Sequence, residues 1–337
     1  MRKKIFKNIL LILGIMVVFS LLMSKEFKDI VLNIKSVPIS IVFITSGLQI
    51  LTMILLAMQW KSVIALTGRK VSFKDVFLVN IKGNVVDSIT PGVKVGGELA
   101  RVYELKNTLG IDTSNASVIV GFQKTISLLS FLFLTLISLI WFNITLGSEY
   151  EYYLYLFSIA VLIFTLLLSL LILICLKPYI INNLLDKLSI TPKLRDKLNN
   201  GINEYHRVLS KLLSKKKNFL YQLIFGILIW IIFAFKMLLV VKGFGISMGF
   251  VNVAAITYLT YVVGMIPLLP GSIGSFESCM ITLLTIQRVP IDISISISIV
   301  FRFITFWFEF LLSLIIVILY KVFFLYQKGD NYVRRKA

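Results

Sequence analysis

The sequence predicts an all-α polytopic membrane protein, with six spanning helices plus two re-entrant or short-helix hairpins in an inverted repeat. Three observations carry that expectation. Mean hydropathy is +0.92, and charged residues make up 15% of the chain where soluble domains carry about 25%. Apolar runs of about 20 residues, the length that crosses a hydrocarbon core, recur along all 337 residues. Two of the apolar stretches are broken by proline- and glycine-containing turns that lead into a carboxylate. No soluble domain of about 100 residues fits between the runs, so residues 1–337 read as one integral membrane domain.

The first span is expected at 5–23. It opens like a secretory signal, but no small-residue cleavage site precedes Lys25 and Glu26, so it reads as a retained helix. Five further spans are expected at 39–58, 116–142, 153–176, 219–241 and 293–320. Residues 73–105 and 250–287 are the broken regions. Arg2, Lys3, Lys4 and Lys7 place the N-terminus in the cytoplasm, and Lys61, Arg69, Lys70, Lys74 and Lys82 place the following loop there too. The segment between the third and fourth spans has Glu149, Glu151 and a cluster of tyrosines without Lys or Arg, which places it outside. The basic segment 177–218 and the tail ending in Arg334, Arg335 and Lys336 return to the cytoplasm. The expected location is the plasma membrane, with both termini inside.

The net charge of +19 therefore reads as the positive-inside bias, and no nucleic-acid partner is expected. Within the basic segment, Leu194, Leu198, Ile202, Tyr205, Leu209 and Leu212 form a helical stripe. Two readings fit it: an amphipathic helix on an anionic membrane surface, or a linker helix packed on the protein. Cys175 and Cys279 lie in apolar stretches and suggest no disulfide framework.

Charge-derived orientation requires each broken region to enter and leave on the same side. The order becomes span, span, hairpin, span, then the same again with opposite orientation (about 5–142 and 153–320), the architecture of many transporters. The motifs agree. Pro91 and Pro270 each precede a carboxylate, Glu98 and Glu277, by seven positions, and Gly92 matches Gly271. Lys124 follows Glu98 by 26 residues, and Arg302 follows Glu277 by a nearly equal interval. Irregular backbone at membrane depth must be buried in protein or line a wet cavity, so both turns should face the interior. Backbone N–H groups freed at a half-helix start make an anion site there.

Arg302, near the middle of the last span, should face the interior, since a charge at that depth costs at least about 2.5 kcal/mol. Arg302 and Lys124 are candidates for a lipid phosphate. The competing reading is neutralisation, of Glu277 or Glu309 by Arg302, and snorkelling for Lys124. Glu98 and Glu277 either clamp the turns, bind an ammonium group or take up protons, and Asp87 and Arg101 share those options. Lys236 reads as snorkelling, Trp230 and Trp307 as packing. His206 is the single histidine and there is no phosphate-binding Gly-Lys-Ser/Thr loop, so no metal, cofactor or nucleotide is expected. Any transport is then passive or gradient-driven.

At TPGVKVGGELARVYELKN and PLLPGSIGSFE the chain resembles the flippase-like transmembrane family of lysylphosphatidylglycerol synthases, the membrane half of the multiple peptide resistance factor. The resemblance covers about 5–326 and rests on Pro91, Gly92, Gly96, Gly97, Glu98 and Arg101, then on Pro270, Gly271, Gly274 and Glu277; Ser272 stands where a second glycine is common. It implies action on phospholipids or polyprenyl lipid carriers. In full-length relatives a cytoplasmic domain transfers the aminoacyl group; this protein is expected to lack that domain, so translocation is expected ahead of head-group modification. A non-catalytic membrane subunit that docks a separate lipid-modifying enzyme, or a homo-oligomer, is the further alternative.

Overall fold

The computed structural model describes residues 25–90, 95–145, 151–177, 179, 191–214, 216–265 and 272–334. The expected first span at 5–23 and the turn residues Pro91, Gly92, Pro270 and Gly271 lie outside them. Among the described residues the regular structure is helical, with no strand. The helices are α1 (Lys25–Ser36), α2 (Ile39–Leu66), α3 (Phe73–Ile89), α4 (Val95–Leu109), α5 (Thr113–Thr145), α6 (Glu151–Leu176), α7 (Pro192–Leu213), α8 (Lys216–Gly243), α9 (Phe250–Gly264), α10 (Ser275–Ile286), α11 (Ile291–Arg302) and α12 (Phe308–Arg334). A π-helical turn, Phe303–Trp307, joins the last two.

Four of these elements are long and apolar enough to cross a bilayer: α2, α5, α8 and the run Ile291–Phe323. They match the expected spans at 39–58, 116–142, 219–241 and 293–320. The expected fourth span is α6, whose apolar stretch Tyr155–Leu170 is shorter. Its outward face, Leu162, Ile163, Leu166, Leu167 and Leu170, is apolar and exposed.

Local chemistry sets several helix starts. Ser72 Oγ accepts the N–H of Asp75 at 3.1 Å to cap α3, and Asp112 Oδ2 accepts that of Asn115 at 3.0 Å to cap α5. Hydrogen bonds from the Asn115 side chain and backbone hold the Asp112 carboxyl below its usual range. Gly274, at φ +90°, opens α10 in a conformation that L side chains rarely adopt.

Each broken region is a pair of short helices packed on each other, α3 with α4 and α9 with α10. Around them the contacts recur: α2 meets α3 as α8 meets α9, α4 meets α5 as α10 meets α11, and α3 meets α12 as α9 meets α5. Helices α2 and α8 pack against each other, with Gly226 seated so closely on Ser130 of α5 that a Cβ would lie 2.4 Å from its Oγ. Small residues permit such approaches between membrane helices.

Two apolar clusters result. One joins Trp60, Val63 and Ile64 of α2 to Val76, Val79, Leu105, Ile119 and Phe122. The other gathers Phe131, Val240, Tyr258, Phe276, Met280 and Phe301. Helix α5 runs through both, with Ile126 in the first and Phe131 in the second.

Helix α7 packs on α5 and α6, and Leu209 of its apolar stripe is buried in the first cluster. Of the two readings of that stripe, the structure supplies the protein-packed contact. Trp230 packs as expected, 4.5 Å from the Phe131 ring. Trp307, within the π turn, is 43% exposed, its ring edge-on to Phe306 at 5.0 Å.

Candidate functional site

The first helix pair holds its turn with charge. Asp87, near the end of α3, accepts the N–H of Gly97 on Oδ1 at 2.9 Å and a guanidinium N–H of Arg101 on Oδ2 at 3.0 Å. Gly97 allows this approach, since a Cβ there would lie 2.1 Å from Asp87 Oδ1. A Cβ at Gly96 would lie 2.4 Å from Thr90 Oγ1. Arg101 also donates to Asn84 Oδ1 at 2.6 Å and lies 3.5 Å from Glu98. Glu98 in turn takes Lys124 of α5 at 3.3 Å.

The second pair does the same with fewer residues. Glu277 Oε2 accepts the N–H of Gly274 at 2.6 Å, and its Oε1 lies 3.2 Å from Arg302 Nε. Glu277 thus caps a half-helix and holds a cation, as Asp87 does in the first pair, where Glu98 adds a second carboxylate beside Arg101 and Lys124. At each half-helix start a carboxylate of the protein accepts a backbone N–H, Asp87 from Gly97 and Glu277 from Gly274. The Arg302 guanidinium also stacks over Phe276 and Phe306, 4.5 and 4.4 Å from their centroids.

Arg302 pairs with Glu277, so the alternative pairing with Glu309 is corrected. The π turn is the physical reason. Seven residues place Glu309 about 10 Å further along the axis, and the wide turn between them changes its azimuth. Glu309 instead accepts Gln49 Nε2 at 2.8 Å and Asn84 Nδ2 at 2.7 Å. Snorkelling of Lys124 is likewise replaced by its pairing with Glu98.

Lys236 needs the largest correction. It is 0% exposed, donates to Gln49 Oε1 and to Thr52 Oγ1 at 3.3 Å, and lies 3.7 Å from the Phe233 ring centre. Its side chain turns toward α2 because that helix supplies two oxygens at the crossing. An apolar run gave no sign of such partners.

A continuous polar chain therefore runs Lys124, Glu98, Arg101, Asn84, Glu309, Gln49, Lys236, with Asp87 beside Arg101. It crosses from α5 through α4, α3, α12 and α2 to α8. It carries three basic and three acidic side chains, so their formal charges cancel. Arg302 at the end of α11 and Glu277 of α10 form a second pair of opposite formal charge. Spacing exposed Lys124, Glu98, Arg302 and Glu277 as candidates; it missed the uncharged connectors Gln49 and Asn84.

Both ion pairs at the turns are partly open. The side chains of Lys124 and Glu98 are 27% and 19% exposed, and those of Glu277 and Arg302 are 24% and 9% exposed. Among the described residues no group of three or more His, Cys, Asp or Glu side chains is placed to hold a metal ion. Cys279 is buried and free.

Comparison with known proteins adds a family. The model described as "Lysylphosphatidylglycerol synthase TM region" matches residues 8–313. A UPF0104 membrane protein of Methanocaldococcus jannaschii is 23% identical over 329 residues, covering 95% of this chain and 97% of the relative. UPF0104 membrane proteins of Methanothermobacter thermautotrophicus and Pyrococcus horikoshii are 21% and 22% identical, covering 77% and 93% of this chain and 79% and 96% of the relatives.

Proposed function

Because the chain belongs to the lysylphosphatidylglycerol synthase TM region family, we propose that this membrane-embedded protein is a translocase for lipids with an anionic, phosphate-bearing head group. The observation that carries the reading is the matched pair of turn-bound ion pairs, Lys124 with Glu98 and Arg302 with Glu277. Each presents a cation already held by a carboxylate. A head-group phosphate is chemically equivalent to that carboxylate as a partner, and Arg binds it as a fork where Lys binds it as a point charge. The resting protein keeps its buried charges neutral, and an arriving phosphate substitutes for Glu277 or Glu98 without leaving a bare cation in a low-dielectric interior.

An inverted repeat is the framework of this reading. Its support is the recurrence of packing around the two short-helix pairs together with the opposed orientation that the charge distribution requires. The head group moves through the polar chain between the halves while the tails stay in the bilayer. Both termini are placed in the cytoplasm of the cell on the same charge argument.

The test is reconstitution of purified protein into vesicles containing labelled phosphatidylglycerol, its lysyl ester or a polyprenyl phosphate. At least one of these should cross faster than in protein-free vesicles, and the combined substitutions R302M and K124M should return the rate to the protein-free value. Crossing at the protein-free rate for every lipid in the panel sinks the reading. A new lipid species in mass spectra after expression would instead favour head-group modification.

A further inference from the structure

The partners of Arg302 differ in kind. Glu277 contacts the guanidinium at Nε, 3.2 Å away, and its side chain is 24% exposed. Phe276 and Phe306 meet it at Cζ, which lies 4.5 and 4.4 Å from their ring centres. A partly open carboxylate can give way to another anion. Neutral rings have no charge to exchange, and they touch a different atom.

Phe276 and Glu277 are neighbours on α10 with unequal anchoring. Phe276 is 1% exposed, with Tyr261 of α9 edge-on at 5.1 Å and Phe301 of α11 stacked at 6.4 Å. Gly264 brings the end of α9 against it, since a Cβ there would lie 3.1 Å from Phe276 Cδ2. Glu277 can therefore change rotamer without moving the ring beside it. Phe306 reaches the cation from another element, the π turn, and is half-buried with Trp307 edge-on at 5.0 Å. Such turns inside helices are frequent at functional sites.

We propose that Phe276 and Phe306 are positioning residues: they hold the Arg302 guanidinium in place while its anionic partner changes from Glu277 to a head-group phosphate, an exchange that rests on the translocase reading above. A free arginine side chain has large rotamer entropy, so a guanidinium tied only to its carboxylate would swing away with it. The attraction of a cation to an aromatic face needs no counter-ion and strengthens as water is excluded. The rings keep the fork oriented when neither anion holds it. An incoming phosphate then meets donors whose ordering costs little.

Two measurements on the full chain test this. The first is melting in mixed micelles of F306L, R302M and their combination, with Glu277 and with E277Q. F306L should lower the melting temperature in both backgrounds, by less when R302M is present, and F306W, with the strongest cation–π face, should recover the loss. A loss unaffected by R302M makes Phe306 an apolar packing residue and overturns the clamp, as does a coupling that disappears in E277Q. The second needs no change at Glu277: binding of short-chain phosphatidylglycerol in neutral detergent micelles, against diacylglycerol with the same chains. F306L should weaken phosphatidylglycerol about tenfold and leave diacylglycerol unchanged, and F306W should restore the affinity. Equal weakening of both lipids, or none, overturns the positioning role. A wild type that binds phosphatidylglycerol no more tightly than diacylglycerol, with the Phe306 to Arg302 coupling present, supports the clamp and refutes the translocase reading instead.

Discussion

Replacing Glu277 by Gln separates the two tasks of that carboxylate. The amide oxygen still accepts from Gly274, so the cap survives, but Arg302 loses its counter-ion. At 3.2 Å and an effective dielectric constant of 20, the Coulomb attraction is about 5 kcal/mol. Desolvation offsets part of it, and removing one partner of a buried pair costs about 3–5 kcal/mol because a bare charge remains. Glu277 is the more exposed partner and the Arg302 guanidinium keeps its two aromatic faces, so E277Q should lie at the low end, about 3 kcal/mol. R302M should cost less, about 1–2 kcal/mol, since the carboxylate left behind can reach solvent. The double variant leaves neither charge and should be more stable than E277Q alone. Reversible unfolding in mixed micelles, arranged as a double-mutant cycle, reads this directly. Losses that simply add would show that the two side chains do not form an energetic pair, and the account of the second turn would fail with them.

Three further expectations follow from packing. G97A drives a Cβ into Asp87 and should cost at least about 2 kcal/mol through the lost cap and ion pair; G47A, with nothing within 4 Å, should leave the melting temperature level or raise it. L209A should destabilise by about 2 kcal/mol if α7 is held by the first apolar cluster, whereas a helix held only by the membrane surface would leave protein melting in detergent unchanged. Q49L removes the amide between Lys236 and Glu309 and should cost about 2 kcal/mol, the loss of hydrogen bonds to two charged groups; an unchanged melting temperature would remove Gln49 from the polar chain.

The sequence was most informative where charge interrupts hydrocarbon. An ion in a span must find a partner, and near-equal spacing from Glu98 to Lys124 and from Glu277 to Arg302 marks as candidates, without fixing their pairing, four residues that the fold joins at 3.3 and 3.2 Å. The pairing of Asp87 with Arg101 is not legible in the sequence, because nothing in a 14-residue separation says which carboxylate turns inward. Gln49 and Asn84 were invisible for another reason. They are neutral, contribute little to hydropathy, and meet Glu309 across 260 and 225 residues of chain. Lys236 was misread since its depth alone permits either snorkelling or burial, and the choice depends on oxygens of a different helix. The π turn, which separates the directions of Arg302 and Glu309, has no composition of its own: FITFW reads as ordinary apolar helix.

The central claim is that a lipid phosphate replaces a carboxylate on a buried cation. An experimental structure in nanodiscs rich in phosphatidylglycerol tests it most directly. The account expects phosphate density within hydrogen-bond distance of Arg302 or Lys124, with Glu277 or Glu98 turned away from its cation. Head groups confined to the outer surface of the helices, with both ion pairs intact in the lipid-saturated protein, would contradict it.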